Sequence, residues 1–225
     1  MKFARQVSDL VGMFKIGSQL FTSAGPEAVR EVSQLGAGVF LDLKWHDIPN
    51  TVAGAVLSAA AMPGVQLVNV HALGGTAMLR AAAQAVSAGV PMGADRTRLL
   101  AVTILTSMDQ KAVREVGIGG PAKARVVKLA KLAQKAGVDG VVASVQEAKA
   151  IRKACGREFL IVTPGVRPKE KGASAKKDDQ ARTATPREAI KAGADFIVVG
   201  RPIIAAPDPR AATQAIVDEI AAAKA

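Results

Sequence analysis

Seven short apolar runs, at residues 11–16, 38–43, 66–71, 99–105, 138–143, 158–163 and 195–199, punctuate this 225-residue chain at long intervals. They are nearly continuous in Val, Ile, Leu and Ala, as strands buried on both faces require, and lack the in-and-out alternation of a half-exposed sheet. The stretches between them carry helical period. In 121–136, for instance, Val126, Leu129, Ala130 and Ala133 recur on one face, and Gly137 follows as a stop. Strand and helix alternate from end to end without a linker or a shift in composition, so residues 1–225 read as a single domain of the α/β class. Aromatic residues make up only 3% of the chain against 49% apolar overall, so this core is built from small aliphatic side chains.

Two architectures fit a parallel α/β alternation: an open doubly wound sheet and a closed (β/α)8 barrel. An open sheet gathers its ligand groups at one switch point, whereas a barrel collects them from almost every strand onto one rim. Here Lys15, Asp42, Lys44, His71, Thr106, Ser107, Pro164 and Arg201 fall at or just past the carboxyl ends of different runs, which favours the barrel. A barrel needs eight strands. The first helix candidate begins almost at Met1, so the expected fold is a (β/α)8 TIM-type barrel lacking its first strand in this chain.

The densest chemistry lies in the second run and the turn after it. Asp42 and Lys44 are two apart on a strand and so share a face, with Asp47 and Thr51 following in the turn. Charged groups on an apolar strand are costly unless they pair or perform chemistry, and a structural ion-pair cluster stands beside a catalytic one as a reading. Late in the chain, Thr163-Pro164-Gly165-Val166-Arg167-Pro168 opens a polar stretch, 169–185, without hydrophobic period; long loops inside compact domains are commonly functional. The last run ends in Gly200-Arg201-Pro202-Ile203, where glycine admits close backbone approach and the guanidinium can grip a phosphate.

Other features carry less. Gly117-Ile118-Gly119-Gly120 is half of a dinucleotide fingerprint with no continuation, and reads as a loop. His46 and His71 lack zinc-type spacing, and His71 reads as a hydrogen-bonded residue at a strand end. The single cysteine, Cys155, excludes an internal disulfide, fits a reducing cytoplasm and reads as a small helix residue. No run approaches the length of a membrane span, and the amino terminus has no secretory pattern. The net charge of +11 is spread over helices with few aromatics for base stacking, so it reads as solvated surface whose field also suits an anionic phosphorylated substrate.

The run D-L-K-W-H-D-I-P-N-T at 42–51 resembles the orotidine 5'-phosphate decarboxylase family. So do, in the family's order, Phe14-Lys15-Ile16-Gly17, Leu20-Phe21-Thr22-Ser23-Ala24-Gly25-Pro26, Val70-His71-Ala72, Leu105-Thr106-Ser107-Met108, Pro164-Gly165-Val166-Arg167-Pro168, Asp179-Gln180-Ala181-Arg182 and Val199-Gly200-Arg201-Pro202-Ile203. The resemblance implies decarboxylation of orotidine 5'-phosphate to UMP and carbon dioxide in pyrimidine biosynthesis, by a cytoplasmic enzyme without cofactor or metal. It implies that Lys44 donates the proton to C6, that Asp42 lies beside the substrate carboxylate, and that Asp47 and Thr51 reach the site of a second subunit in a homodimer. Lys15 would meet the ribose, Thr106 and Ser107 the pyrimidine, and Gln180, Gly200 and Arg201 the phosphate, with the loop around Arg167 to Gln180 closing over it and Pro164 as a further substrate-binding residue. The family's initial strand, with its ribose-binding aspartate, has no counterpart here, and no residue takes that role. Two other readings are a magnesium-dependent sugar-phosphate enzyme of the related barrel group, which shares D-x-K-x-x-D, and a non-catalytic nucleotide- or RNA-binding barrel. The Ile48-Pro49-Asn50-Thr51 continuation and the 105–107 segment argue against the first of these.

Overall fold

The computed structural model describes residues 1–88, 96–168 and 183–224, in two compact units. The first unit comprises Met1–Val102 with Leu132–Gly140, the second Thr103–Lys131 with Val141–Ala225. All seven expected strands are present among the described residues: β1 (Met13–Gly17), β2 (Gly38–Trp45), β3 (Val65–His71), β4 (Arg98–Val102), β5 (Gly140–Val142), β6 (Leu160–Thr163) and β7 (Phe196–Ile197). Each is followed by helix, as the alternation in the sequence anticipated.

In the first unit, β1 to β4 pair in chain order, all parallel. Val39 and Leu41 of β2 and Val68 and Val70 of β3 have no exposed surface, as expected of strands covered on both faces. The covering helices present period-3.6 stripes. Val52, Val56 and Ala59 are the buried residues of Pro49–Ala60; Met78, Leu79, Ala82, Ala83 and Val86 are those of Gly75–Ala88. Pro49 begins its helix where its missing N–H costs nothing.

Asp139, next to β5, locks the far edge of this unit. Its Oδ2 accepts the Leu99 N–H at 2.8 Å, its own N–H donates to the Leu99 carbonyl at 3.0 Å, and Arg96 grips the carboxylate in two-pronged fashion. The second unit repeats the device. Asp195, just before β7, accepts the Ile161 N–H of β6 at 2.7 Å and pairs with Arg152 at 2.6 Å. Arg152 also donates to the carbonyls of Gly156, Arg157, Phe159 and Gly193, tying the end of the Val145–Cys155 helix to the strand loops around it.

Several sequence expectations are settled here. The helix expected over 121–136 spans Ala122–Lys135, and Gly137 terminates it at φ +87°, a conformation open to glycine. The Gly117–Gly120 segment is a loop. The fourth strand is a correction: it ends at Val102, not 105, because the Thr103 N–H and hydroxyl turn to the Val142 carbonyl, and Thr106 and Ser107 therefore lie in a loop well past the strand. Cys155 is the last residue of its helix and is buried; burial pushes its thiol up, so it is a packed small residue. No helix among the described residues is long and apolar enough to cross a membrane.

Candidate active site

The site is built on a break in the β2–β3 ladder. Leu41 pairs with Val68, and the next registered pair is Trp45 with Val70, so three residues of β2, 42–44, bulge opposite the single residue Asn69. Lys44 takes φ +56°, the one positive value at a non-glycine position among the described residues. A side chain in that region is strained and persists only where its surroundings hold it. Asn69 supplies that support: its Oδ1 accepts the Lys44 N–H at 2.8 Å.

Asp42 is the centre of charge. It is buried, with Lys44 Nζ 2.6 Å from Oδ1, Lys15 Nζ 3.0 Å from Oδ2, and Asn69 Nδ2 donating to Oδ1 at 2.6 Å. Burial pushes the carboxyl up, but Lys15, then the hydrogen bond and charge of Lys44, then the Asn69 amide outweigh it and hold Asp42 below the usual carboxylate range. The Lys44 side chain keeps 37% of its surface exposed, so the ammonium is anchored at one end and open at the other.

Beside it, His71 closes β3 and stacks on His46, ring centroids 5.4 Å apart. The expectation of a hydrogen-bonded histidine needs correcting for Nδ1, which is buried with no hydrogen-bond partner among the described residues; the ring is held by stacking. Burial, then His46, then Lys44 hold its pKa below the ordinary histidine value, leaving the imidazole neutral near pH 7.

Lys15, Asp42 and Lys44 are therefore brought together, and Asp47 and Thr51 are not. Asp47 is exposed, its Oδ1 accepting the N–H of Ile48 at 2.6 Å, and Thr51 lies exposed in the first turn of the Pro49–Ala60 helix. Among the described residues the Lys44 ammonium pairs with one carboxylate, that of Asp42.

The remaining expected residues belong to the second unit. Thr106 is buried and Ser107 exposed in the loop after β4. Pro164 follows β6; two residues on, Val166 forms a parallel bridge with Ala184, and the Arg167 N–H donates to the Ala184 carbonyl at 2.9 Å. Residues 169–182 of the polar stretch, including Gln180, lie outside the described residues. Gly200 precedes the short helix Arg201–Ile204 and its carbonyl accepts the N–H groups of Ile203 and Ile204; Arg201 is exposed. Among the described residues no three His, Cys, Asp or Glu side chains are grouped as a metal would need.

Asn69 escaped the sequence reading. Its signal was available: an amide in the middle of Val65-Gln66-Leu67-Val68-Asn69-Val70-His71, an apolar strand, where asparagine is disfavoured and, once buried, must find partners.

The chain is similar to known proteins along nearly its whole length. Residues 1–216 match the model of the orotidine 5'-phosphate decarboxylase / HUMPS family. The chain is 56% identical over 221 residues to the orotidine 5'-phosphate decarboxylase of Geotalea uraniireducens, covering 98% of this chain and 89% of that protein. It is 57% identical to that of Geotalea daltonii, with 98% and 90% covered. The crystal structure of orotidine 5'-phosphate decarboxylase from Lactobacillus acidophilus superposes with a TM-score of 0.80 at 42% identity, covering 92% of this chain and 85% of that one. The chain therefore matches known proteins along nearly its whole length, and it belongs to the orotidine 5'-phosphate decarboxylase / HUMPS family.

Proposed function

We propose that this protein decarboxylates orotidine 5'-phosphate to UMP, with Lys44 as the proton donor. The observation that carries the reading is the Lys44 ammonium, fixed at 2.6 Å on buried Asp42 yet still open to a ligand. The names and high identity of the relatives support the same substrate over a sugar phosphate.

The chemistry asks for little more than fixed charge. The bond between C6 and the carboxylate breaks, carbon dioxide departs, and the electron pair stays at C6. A preorganised ammonium stabilises that developing charge without reorganising, then transfers a proton to C6 and recovers one from water. Asp42 keeps the ammonium in place. Lys15, on the other oxygen of Asp42, serves the ribose. In the second unit, Thr106 and Ser107 serve the pyrimidine, Gly200, Arg201 and Gln180 the phosphate, and Pro164 and Arg167 are further substrate-binding residues. Phosphate binding remote from C6 contributes to the rate when its binding energy is used at the reacting centre.

The working form is a cytoplasmic homodimer of single barrel domains, in which Asp47 and Thr51 complete the partner's site. Their exposure beside a cluster they do not join supports this assignment. The test is release of carbon dioxide from orotidine 5'-phosphate by the purified chain, with and without EDTA. Turnover indifferent to EDTA is expected; no turnover, or turnover abolished by the chelator, would refute the reading.

A further inference from the structure

We propose that Asn69 is a positioning residue for the proton donor: it holds both the backbone and the carboxylate on which the Lys44 ammonium depends. Asn69 has no exposed surface. It stands alone opposite the 42–44 bulge, where the register break deprives both strands of ladder partners. Its two side-chain ends do different work. Oδ1 accepts the N–H of Lys44, the residue with the strained positive φ, and Nδ2 donates to the same Asp42 oxygen that anchors Lys44 Nζ. A backbone N–H needs an acceptor and a carboxylate needs a donor, so these partners also fix which way the amide faces.

Only a short planar group with an acceptor and a donor side by side can serve both. Aspartate offers the acceptor but sets a second anion against Asp42; leucine or alanine offers neither and leaves a buried N–H and a buried carboxylate short of a partner. The Lys44 ammonium is thus located through Asn69 twice, once through its own backbone and once through Asp42. An error of about 1 Å in a reacting group can cost on the order of 100-fold in rate. The role therefore belongs to kcat rather than to substrate affinity. It rests on the decarboxylase reading for its catalytic consequence, and on the hydrogen bonds alone for its geometry.

The decisive variant is Asn69→Asp, which keeps the acceptor for the Lys44 N–H and replaces the donor with an ionisable oxygen. Near neutral pH its kcat is expected to fall about 100-fold, with KM for orotidine 5'-phosphate changed less than about threefold. As the pH is lowered, the added carboxyl takes a proton and donates to Asp42 again, so kcat relative to wild type climbs. A defect of the same size at every pH, or a neutral-pH kcat equal to wild type, would overturn the proposal. Should this variant fail to fold, Asn69→Ala removes both bonds without adding charge; loss of kcat at steady KM is expected, and an unchanged kcat would refute the role. A wild-type chain without decarboxylase activity refutes the functional reading alone. In that event carboxyl NMR of Asp42 still decides the geometry: its titration moves to higher pH in Asn69→Ala if Asn69 holds it, and stays in place if it does not.

Discussion

Lys15 and Asp42 meet at 3.0 Å from adjacent parallel strands, on the carboxylate oxygen that Lys44 leaves free. The register pairs Gly17 with Asp42 and Lys15 with Phe40, so the lysine reaches forward along its strand to the aspartate. One buried carboxylate thereby spaces two ammonium groups that would otherwise repel.

Lys44→Ala is expected to lower decarboxylation by about 10,000-fold or more, the upper range for loss of a positioned general acid, while the fold persists because Lys15 and Asn69 still satisfy Asp42. Single-turnover assays and circular dichroism check the two halves. Near-normal turnover would remove Lys44 from the mechanism.

Arg201→Ala is expected to weaken UMP binding by about 10- to 100-fold and leave uridine binding untouched, since a lost guanidinium contact concerns the phosphate alone. Calorimetric titration with both ligands separates the outcomes. Equal weakening of both would mean that the residue supports the loop rather than the phosphate.

The proposed sharing of sites between subunits makes a counting prediction. Lys44→Ala and Asp47→Ala proteins, each inactive alone, should regain activity when mixed. A hybrid dimer carries one site with both changes and one with neither. Absence of any recovery after subunit exchange, verified by native mass spectrometry, would place Asp47 outside the partner's site.

Stability should fall on mild acidification through His71. Its pKa is depressed in the folded chain, by burial first and then by His46 and Lys44, so the unfolded chain takes up its proton at higher pH. The contribution is therefore complete above the ordinary histidine pKa and is lost as pH falls through the folded value. Urea midpoints measured across this interval should slope for wild type and flatten in His71→Gln. Asp42 has the same sign in a more acid window, lost as pH falls through its depressed carboxyl value.

Thr185→Ala should cost about 1 kcal/mol, the usual worth of a helix N-cap. Thr185 and Glu188 form a reciprocal capping box at the start of the Pro186–Lys191 helix, immediately after the bridge that closes the polar stretch. Chemical denaturation measures the change. A neutral result would show that tertiary packing alone holds this helix.

Much of this protein is legible along the chain because its causes are local. Seven apolar runs of strand length announced seven strands, since side chains buried on both faces leave no alternation to confuse. The helix end at Gly137 followed from backbone chemistry within a residue or two, whereas Thr51, read as part of a turn, lies inside the helix that Pro49 begins. The pairing of Asp42 with Lys44 was foreseen from strand alternation, and the contact is real, but the route is different: Lys44 sits in a bulge with positive φ, where alternation no longer applies.

What tertiary structure decided is whatever depends on distance along the sequence. Asn69 is 27 residues from Asp42 and 25 from Lys44, and no local pattern records that a ladder break will bring it against both. Lys15 likewise finds Asp42 through strand register, and His71 its neutral state through His46 and burial. Composition and periodicity specify which segments become strands and helices, because those preferences are short-ranged. The partners of a buried charge are chosen by register, bulge and packing, which only the folded chain contains.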